Sequence, residues 1–220
     1  MNKAANVILM SLVVALTFSP SVFAGGTTCS TSACSGSSCA MANDPVGDAT
    51  LSPNITAAPY QDIVEAQVSK TEGVFSLVMN LVAGIPAQPL MPPQMKLLEW
   101  SFRLDTDPTI APAGFPNDEG GPAPADFYVF VTWDGASFAG YVIDRRPEVT
   151  GGDPIITNVP FCINSTGINV SVDAAILDNP SSFGWRVFTQ DWNSPFGNDA
   201  SHTLDIMPAG FHVFLPWPTP

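Results

Sequence analysis

The stretch LLEWSFRLD, residues 97–105, decides the fold class of this chain. Apolar and polar side chains alternate along it, which is typical of a β-strand with one face in a core and the other in water. We predict that the strand places four apolar side chains in the core and three polar ones in water: Leu98, Trp100, Phe102 and Leu104 inside, and Glu99, Ser101 and Arg103 outside.

Similar runs, separated by turn residues, follow from Asp62 onward, and no segment keeps a helical period. The clearest is a hairpin in which residues 127–133 and 137–144 flank Asp134-Gly135, a dipeptide suited to a tight turn. Other candidate strands are residues 63–69, 74–82, 155–162, 168–172, 185–189 and 211–215. We therefore predict an all-β fold: a single-domain antiparallel β-sandwich of jelly-roll type with about eight or nine strands. Residues 106–125 and 191–202 are predicted to be long loops.

Composition limits the possible partners. Hydrophobic residues make up 45% of the chain, which is enough for a core and argues against disorder. The net charge of -13 repels nucleic acid and anionic lipid surfaces, so neither is an expected partner. The same excess of carboxylates attracts hard cations such as calcium.

The N-terminus predicts export. Lys3 precedes an apolar run at residues 7–18, and the small-residue pattern Val22-Phe23-Ala24 follows it. We interpret residues 1–24 as a signal peptide cleaved near Ala24, which makes the protein secreted, extracellular or periplasmic. Residues 25–43 are predicted to be a Ser/Thr/Gly/Cys-rich arm, and residues 44–220 the sandwich domain. No later apolar run is long enough for membrane insertion.

Four cysteines in an exported chain indicate disulfides. Cys29, Cys34 and Cys39 lie in the arm, and Cys162 stands beside a candidate strand. Two disulfides would join one arm cysteine to Cys162. If Cys162 is instead free, the arm keeps an odd cysteine that can cross-link chains, which predicts self-association through the arm.

Five aspartates predict a calcium site. Asp105 and Asp107 lie two residues apart at a strand end, and Asp44, Asp48 and Asp126 are candidates to complete their oxygen ligands. The alternative is that these aspartates cap turns through their own backbone. A second candidate set lies in the later acidic loop: Asp191, Asn193, Asn198 and Asp199.

Two tryptophans are candidates for a sugar platform, since an indole stacks on the apolar face of a pyranose. Trp133 lies beside the Asp134-Gly135 turn, and Trp192 lies in the acidic loop, where exposure is expected. The alternative is that each packs in a core. We find no nucleophile elbow and no zinc-protease motif, so we predict no enzymatic activity.

Five short segments occur in an order that resembles one superfamily: DPVGD at 44–48, DIV at 62–64, LDTD at 104–107, ADFYV at 125–129 and DIMP at 205–208. It resembles the β-sandwich domains grouped with family 9 carbohydrate-binding modules and DOMON-type domains. The resemblance implies a jelly-roll sandwich, often with structural calcium, and relatives that bind sugar or haem. For haem, it implies axial ligands drawn from His202, His212, Met79, Met95 and Lys96.

These observations lead to one functional hypothesis and two alternatives. The hypothesis is a secreted, non-enzymatic, calcium-stabilised β-sandwich that acts as an extracellular binding or surface-structural module. The first alternative is a carbohydrate-binding module that holds polysaccharide through loop tryptophans. The second is a haem-binding electron-transfer domain of DOMON type. Fold alone does not decide among them.

Overall fold

The structure is a computed structural model that describes residues 34, 38–49, 57–109, 125–193, 201–208 and 214–218. Strands dominate these residues, and the only helices among them are short 3-10 segments. Twelve strands are formed: β1 Cys39–Asn43, β2 Ile63–Thr71, β3 Val74–Leu81, β4 Leu97–Asp105, β5 Phe127–Trp133, β6 Phe138–Asp144, β7 Ile155–Asn158, β8 Phe161–Ile163, β9 Gly167–Asp173, β10 Phe183–Trp192, β11 Ser201–Met207 and β12 Leu215–Trp217.

The strands form two antiparallel sheets. The five-stranded sheet has the order β1-β2-β3-β9-β8, and the seven-stranded sheet has the order β11-β10-β4-β5-β6-β7. The seventh strand, β12, pairs with the beginning of β10, while β11 pairs with its end. The predicted all-β sandwich is confirmed, with more strands than expected.

The core lies between the two sheets. From β4 it takes the four apolar side chains predicted to face inward, and from β2, β3 and β9 it takes β-branched and aromatic side chains. Trp100 and Trp185 are the largest of the fully buried side chains. The period-two pattern of β4 therefore predicted its inner face correctly.

The predicted hairpin is confirmed. Strands β5 and β6 pair from Trp133 opposite Phe138 down to Phe127 opposite Asp144. Gly135 has a φ of +92°, which favours glycine, and Asp134 Oδ1 accepts hydrogen bonds from Ala136 N at 2.8 Å and from Ser137 N at 2.7 Å.

The prediction that the polar face of β4 is exposed to solvent is wrong, because Glu99, Ser101 and Arg103 are all buried. The Arg103 guanidinium lies 3.6 Å from the centroid of the Tyr128 ring and donates to Glu99 Oε1 and Gln190 Oε1, both at 2.9 Å. The Arg103 charge is therefore paired with Glu99 on this face, so burial does not require apolar side chains. We call Glu99 and Arg103 the outer-face pair.

Three strand predictions need correction. Residues 155–162 form two strands in different sheets, β7 and β8, separated at Val159-Pro160, because proline cannot donate to a ladder. Strand β10 extends through Trp192 and β11 begins at Ser201, so the ends of the predicted 191–202 loop are strand. The predicted strand 211–215 is β12, which begins at Leu215; residues 209–213 lie outside the described residues.

The sheet also begins earlier than predicted. Strand β1 occupies the end of the presumed arm and pairs along its whole length with β2, from Cys39 opposite Ser69 to Asn43 opposite Glu65. Its sequence, Cys-Ala-Met-Ala-Asn, lacks the β-branched and aromatic residues that favour strands, and only two of its five residues are buried, as expected of an edge strand. Among the described residues, no helix is long and apolar enough to cross a membrane. The signal-peptide residues 1–24 and most of the presumed arm lie outside them.

Candidate metal centre

The loop that follows β1 presents two aspartates to the edge of the sandwich. Asp44 is anchored by its backbone, which donates to Val64 O at 3.0 Å, and Asp48 ends the turn. Gly47 has a φ of +88° and donates its N–H to Asp62 Oδ2 at 2.8 Å. A side chain at this position would strain the turn, so the glycine keeps the loop folded over Asp62.

Asp205 reaches the same place from the other sheet. It belongs to β11, is 3% exposed, and accepts from Ile63 N at 2.6 Å and from Ile206 N at 2.8 Å. The pairing of β10 with β11 shifts register at Thr189, which lies opposite Asp205. Such a β-bulge re-aims side chains, and here the bulge lies where Asp205 contacts the start of β2.

Four carboxylates meet at this junction. Ligand oxygens of Asp44, Asp48 and Asp205 all lie within 4.8 Å of one another. Asp62 lies near them: its charge raises the pKa of Asp44, and the charge of Asp48 raises the pKa of Asp62. We call Asp44, Asp48, Asp62 and Asp205 the edge cluster. It joins β2 and the β1 loop of one sheet to β11 of the other.

The cluster is electrostatically costly without a counter-ion. Burial, followed by repulsion from Asp48 and Asp62, raises the pKa of Asp44 to about 6. Burial is also the main cause that raises the pKa of Asp205 to about 7, and repulsion from Asp44 and Asp48 raises it further. Hydrogen bonds from two backbone N–H groups act in the opposite direction. Burial raises the pKa of Asp62 as well. The charges that shift these groups are all aspartates.

Two oxygens of the cluster are available to a ligand. Asp44 Oδ2 and Asp62 Oδ1 are buried and accept no hydrogen bond from any residue that the structure describes. Asp48, by contrast, is exposed. Carboxylate oxygens in a site with one open side suit calcium, which takes six to eight oxygens at about 2.3–2.6 Å and completes its shell with water or backbone carbonyls.

The other predicted ligands lie together elsewhere. Asp105 ends β4, Asp126 precedes β5, and Asp107 lies in the turn between them. Asp107 Oδ1 accepts from Thr109 N at 2.9 Å and from Thr109 Oγ1 at 2.6 Å, which lowers the pKa of Asp107. For Asp107, the alternative that it caps a turn fits the structure.

The five predicted ligands therefore fall into two groups. Thr189 lies opposite both Asp205 and Trp100, and Asp105 follows Trp100 along β4 by five residues. At roughly 3.3 Å per residue, this separates Asp105 from the edge cluster by about 16 Å along the strands. One calcium ion, with ligands at about 2.3–2.6 Å, cannot contact both groups.

Asp62 and Asp205 lie in the motifs DIV and DIMP but are not among the ligands predicted from sequence. Each is an acidic residue immediately before an apolar strand residue, in the pattern Asp-Ile. Their proximity depends on contact between β2 and β11, which are far apart along the chain. An acidic residue directly beside apolar strand residues is the sequence signal that points to them.

The two candidate sugar-binding tryptophans differ in exposure. Trp133 is 5% exposed and packs on Phe138 with ring centroids 4.7 Å apart, so it offers no exposed platform. Trp192 is half-buried at the end of β10, and its Nε1 donates to Glu99 Oε2 at 3.1 Å. Sugar binding through Trp192 stays a prediction.

Three of the four cysteines lie in described positions, and each is disulfide-bonded. Cys34 pairs with Cys39, which opens β1. Cys162 is also disulfide-bonded, and Cys29 lies outside the described residues. None of the described cysteines is free. The described part of the chain therefore offers no thiol for a cross-link between chains.

The remaining candidates are described only in part. In the second calcium set, Asp191 is buried and Asn193 has a buried amide oxygen, while Asn198 and Asp199 lie outside the described residues. Among the haem candidates, Met79 and Met95 are buried and Lys96 is exposed. Neither the His202 side chain nor His212 is described, so haem ligation stays a prediction.

Comparison with known proteins adds no relative. The chain matches no protein-family model, no curated protein and no solved structure. The resemblance to family 9 carbohydrate-binding modules and DOMON-type domains therefore stays a prediction. The functional argument rests on the fold and on the chemistry of the edge cluster.

Proposed function

We propose that this chain is a non-enzymatic, calcium-stabilised β-sandwich that acts outside the cytoplasm as a binding or surface-structural module. In this proposal, calcium binds at the edge cluster and fastens one sheet to the other. The ion contacts the β1 loop through Asp44 and Asp48, and it contacts β11 through Asp205.

One observation carries this proposal: three carboxylates have ligand oxygens within 4.8 Å of one another, and a fourth, Asp62, adds a buried oxygen with no described hydrogen-bond donor. Like charges at this spacing repel, and burial strengthens the repulsion. A divalent cation reverses the sign of that interaction. Protonation would relieve it only in part, because a proton neutralises one carboxylate at a time.

The cysteines support a location outside the cytoplasm. Cys34 and Cys39 are joined, and Cys162 is disulfide-bonded as well. Disulfides persist in oxidising compartments and are rare in the cytosol. This agrees with the predicted export signal at residues 1–24. Extracellular calcium, at roughly millimolar concentration, is sufficient even for weak oxygen-ligand sites.

The test is the thermal unfolding midpoint of residues 25–220, measured first with excess chelator and then with calcium restored. A ligand at a hundred times its dissociation constant stabilises by about 2.7 kcal/mol. In a domain of this size that raises the midpoint by about 5–10 °C. We expect a rise of this size with calcium.

Magnesium is the matched control. It requires near-octahedral geometry and gives up its water reluctantly, so we expect a smaller rise at the same concentration. An unchanged midpoint with calcium would contradict the proposal. Equal rises with calcium and magnesium would indicate general screening of a chain with a net charge of -13 instead of a specific site.

A further inference from the structure

A second pair of aspartates faces across neighbouring strands at one end of the sandwich. Leu104 on β4 lies opposite Phe127 on β5, and one step further the same antiparallel register brings Asp105 opposite Asp126. Directly opposite residues in such a pair have Cβ atoms about 4.5–5.5 Å apart, and like charges there are destabilising. The chain thus carries two carboxylates at a position that normally disfavours them.

Asp126 uses only one of its two oxygens. Its Oδ2 accepts three hydrogen bonds, from Thr106 N at 2.8 Å, Thr106 Oγ1 at 2.9 Å and Asp107 N at 2.8 Å. Its Oδ1 accepts none from any described residue, although Asp126 is 0% exposed. A wholly buried carboxylate oxygen is normally satisfied by a hydrogen-bond donor, a proton or a cation.

Asp105 is in the same condition. Its Oδ1 is also buried and accepts no hydrogen bond within the described part of the chain. Burial, and then repulsion from Asp126 and Asp107, raises the pKa of Asp105 to about 6, although the Arg186 charge lowers it. The positive charge nearby thus offsets the repulsion only partly.

We propose that Asp105 and Asp126 bind a second divalent cation, of the calcium class, between the end of β4 and the start of β5. The unpartnered Oδ1 atoms of the two aspartates are its protein ligands, and water completes the shell. The ion neutralises the cross-strand pair. It also fixes Asp126, whose other oxygen holds the Thr106-Asp107 turn in place.

A cation accounts for this arrangement better than a shared proton does. A proton between two carboxylates satisfies them only while one is neutral, and Arg186 favours the ionised form of Asp105. A divalent cation satisfies both as anions. Because Asp105 lies about 16 Å from the edge cluster along the strands, this site is independent of the one in the proposed function.

The experiment counts calcium ions bound per chain by equilibrium dialysis of residues 25–220 against about 2 mM calcium, a concentration suited to extracellular sites. The parent is compared with Asp126→Asn, with Asp205→Asn and with the control Asp134→Asn. Asp134 lies in the exposed β5–β6 turn, outside both groups. We expect Asp126→Asn to lose one ion and keep the other, and the control to match the parent.

The outcomes separate the two sites. If Asp205→Asn binds fewer ions than the parent and Asp126→Asn binds the same number, the second site is overturned and the first stands. If only Asp126→Asn binds fewer ions than the parent, the result supports the second site and counts against the first. A parent that binds no calcium would overturn both. Near-UV circular dichroism shows whether each variant is folded, and Asp105→Asn serves as the second variant if Asp126→Asn is not.

Discussion

The edge cluster and the outer-face pair both bury charge, but only one of them supplies its own counter-charge. On the outer face, Arg103 contacts the Glu99 carboxylate at 2.9 Å and stacks on Tyr128. In the edge cluster, the charges that raise the pKa of Asp44 and Asp205 are other aspartates. Buried charge that is neutralised internally is complete in itself, whereas buried charge of one sign is what a bound cation would neutralise.

The largest expected effect comes from breaking the outer-face pair. Glu99→Ala removes a carboxylate from Arg103, whose side chain is 2% exposed. Removing one partner of a buried ion pair costs about 3–5 kcal/mol, which lowers the unfolding midpoint by about 10 °C. Denaturant unfolding of the variant measures the loss directly.

Glu99→Gln is the matched control for this pair, because it keeps a hydrogen-bond acceptor and loses only the charge. We expect it to be destabilised less than Glu99→Ala. Both losses should be the same in chelator and in calcium. A loss that disappears when calcium is removed would mean that the two regions are coupled, and the comparison between them would fail.

A smaller effect, with a change of sign, is expected from Asp205→Asn. In calcium, the variant lacks a ligand and should lose most of the stabilisation by calcium, about 2.7 kcal/mol at a hundred times the dissociation constant. In chelator, the same variant removes a buried negative charge from the cluster and should be more stable than the parent. Urea unfolding of parent and variant under both conditions measures this.

The reversal is the decisive part of this prediction. A variant that is less stable than the parent in both conditions would show that Asp205 serves mainly through its hydrogen bonds to Ile63 N and Ile206 N. Asp134→Asn is the control, and it should leave the calcium-dependent stabilisation unchanged, because surface substitutions usually change stability by about 0.5 kcal/mol or less.

The contrast between the two regions also explains what could be predicted from sequence. The inner face of β4 and the hairpin at Asp134-Gly135 follow from local period and turn chemistry, and both are confirmed. Burial of Glu99 and Arg103 depends on Tyr128 and Gln190, which come from neighbouring strands. No local pattern contains that information.

The candidate site divides in the same way. Asp44 and Asp48 were named as candidates to complete the ligands of Asp105 and Asp107, but the strand register separates them from these residues. Asp62 and Asp205 were not assigned, because their contact with the loop of Asp44 and Asp48 depends on the packing of β2 against β11 and on a bulge in β11 pairing. A ligand set drawn from both sheets becomes visible only when the sheets are assembled.

The last expected effect is a pH dependence that distinguishes the calcium-free edge cluster from the calcium-bound one. In the folded chain the pKa of Asp205 is about 7 and that of Asp44 about 6, while in the unfolded chain both return to about 4. The folded state therefore binds more protons between these values. In chelator, stability should fall as pH rises from about 4 to 7.

Calcium should reverse this trend, because it holds the carboxylates ionised and protons then compete with the ion. Between about pH 4.5 and 7.5, the unfolding midpoint should fall as pH rises in chelator and should rise with pH in calcium. Each kcal/mol of change in the free energy of unfolding should move the midpoint by about 2–4 °C. Asp205→Asn should flatten both curves. Parallel curves in chelator and calcium would mean that the ion does not bind to the groups that titrate, and would remove the edge cluster as the calcium site.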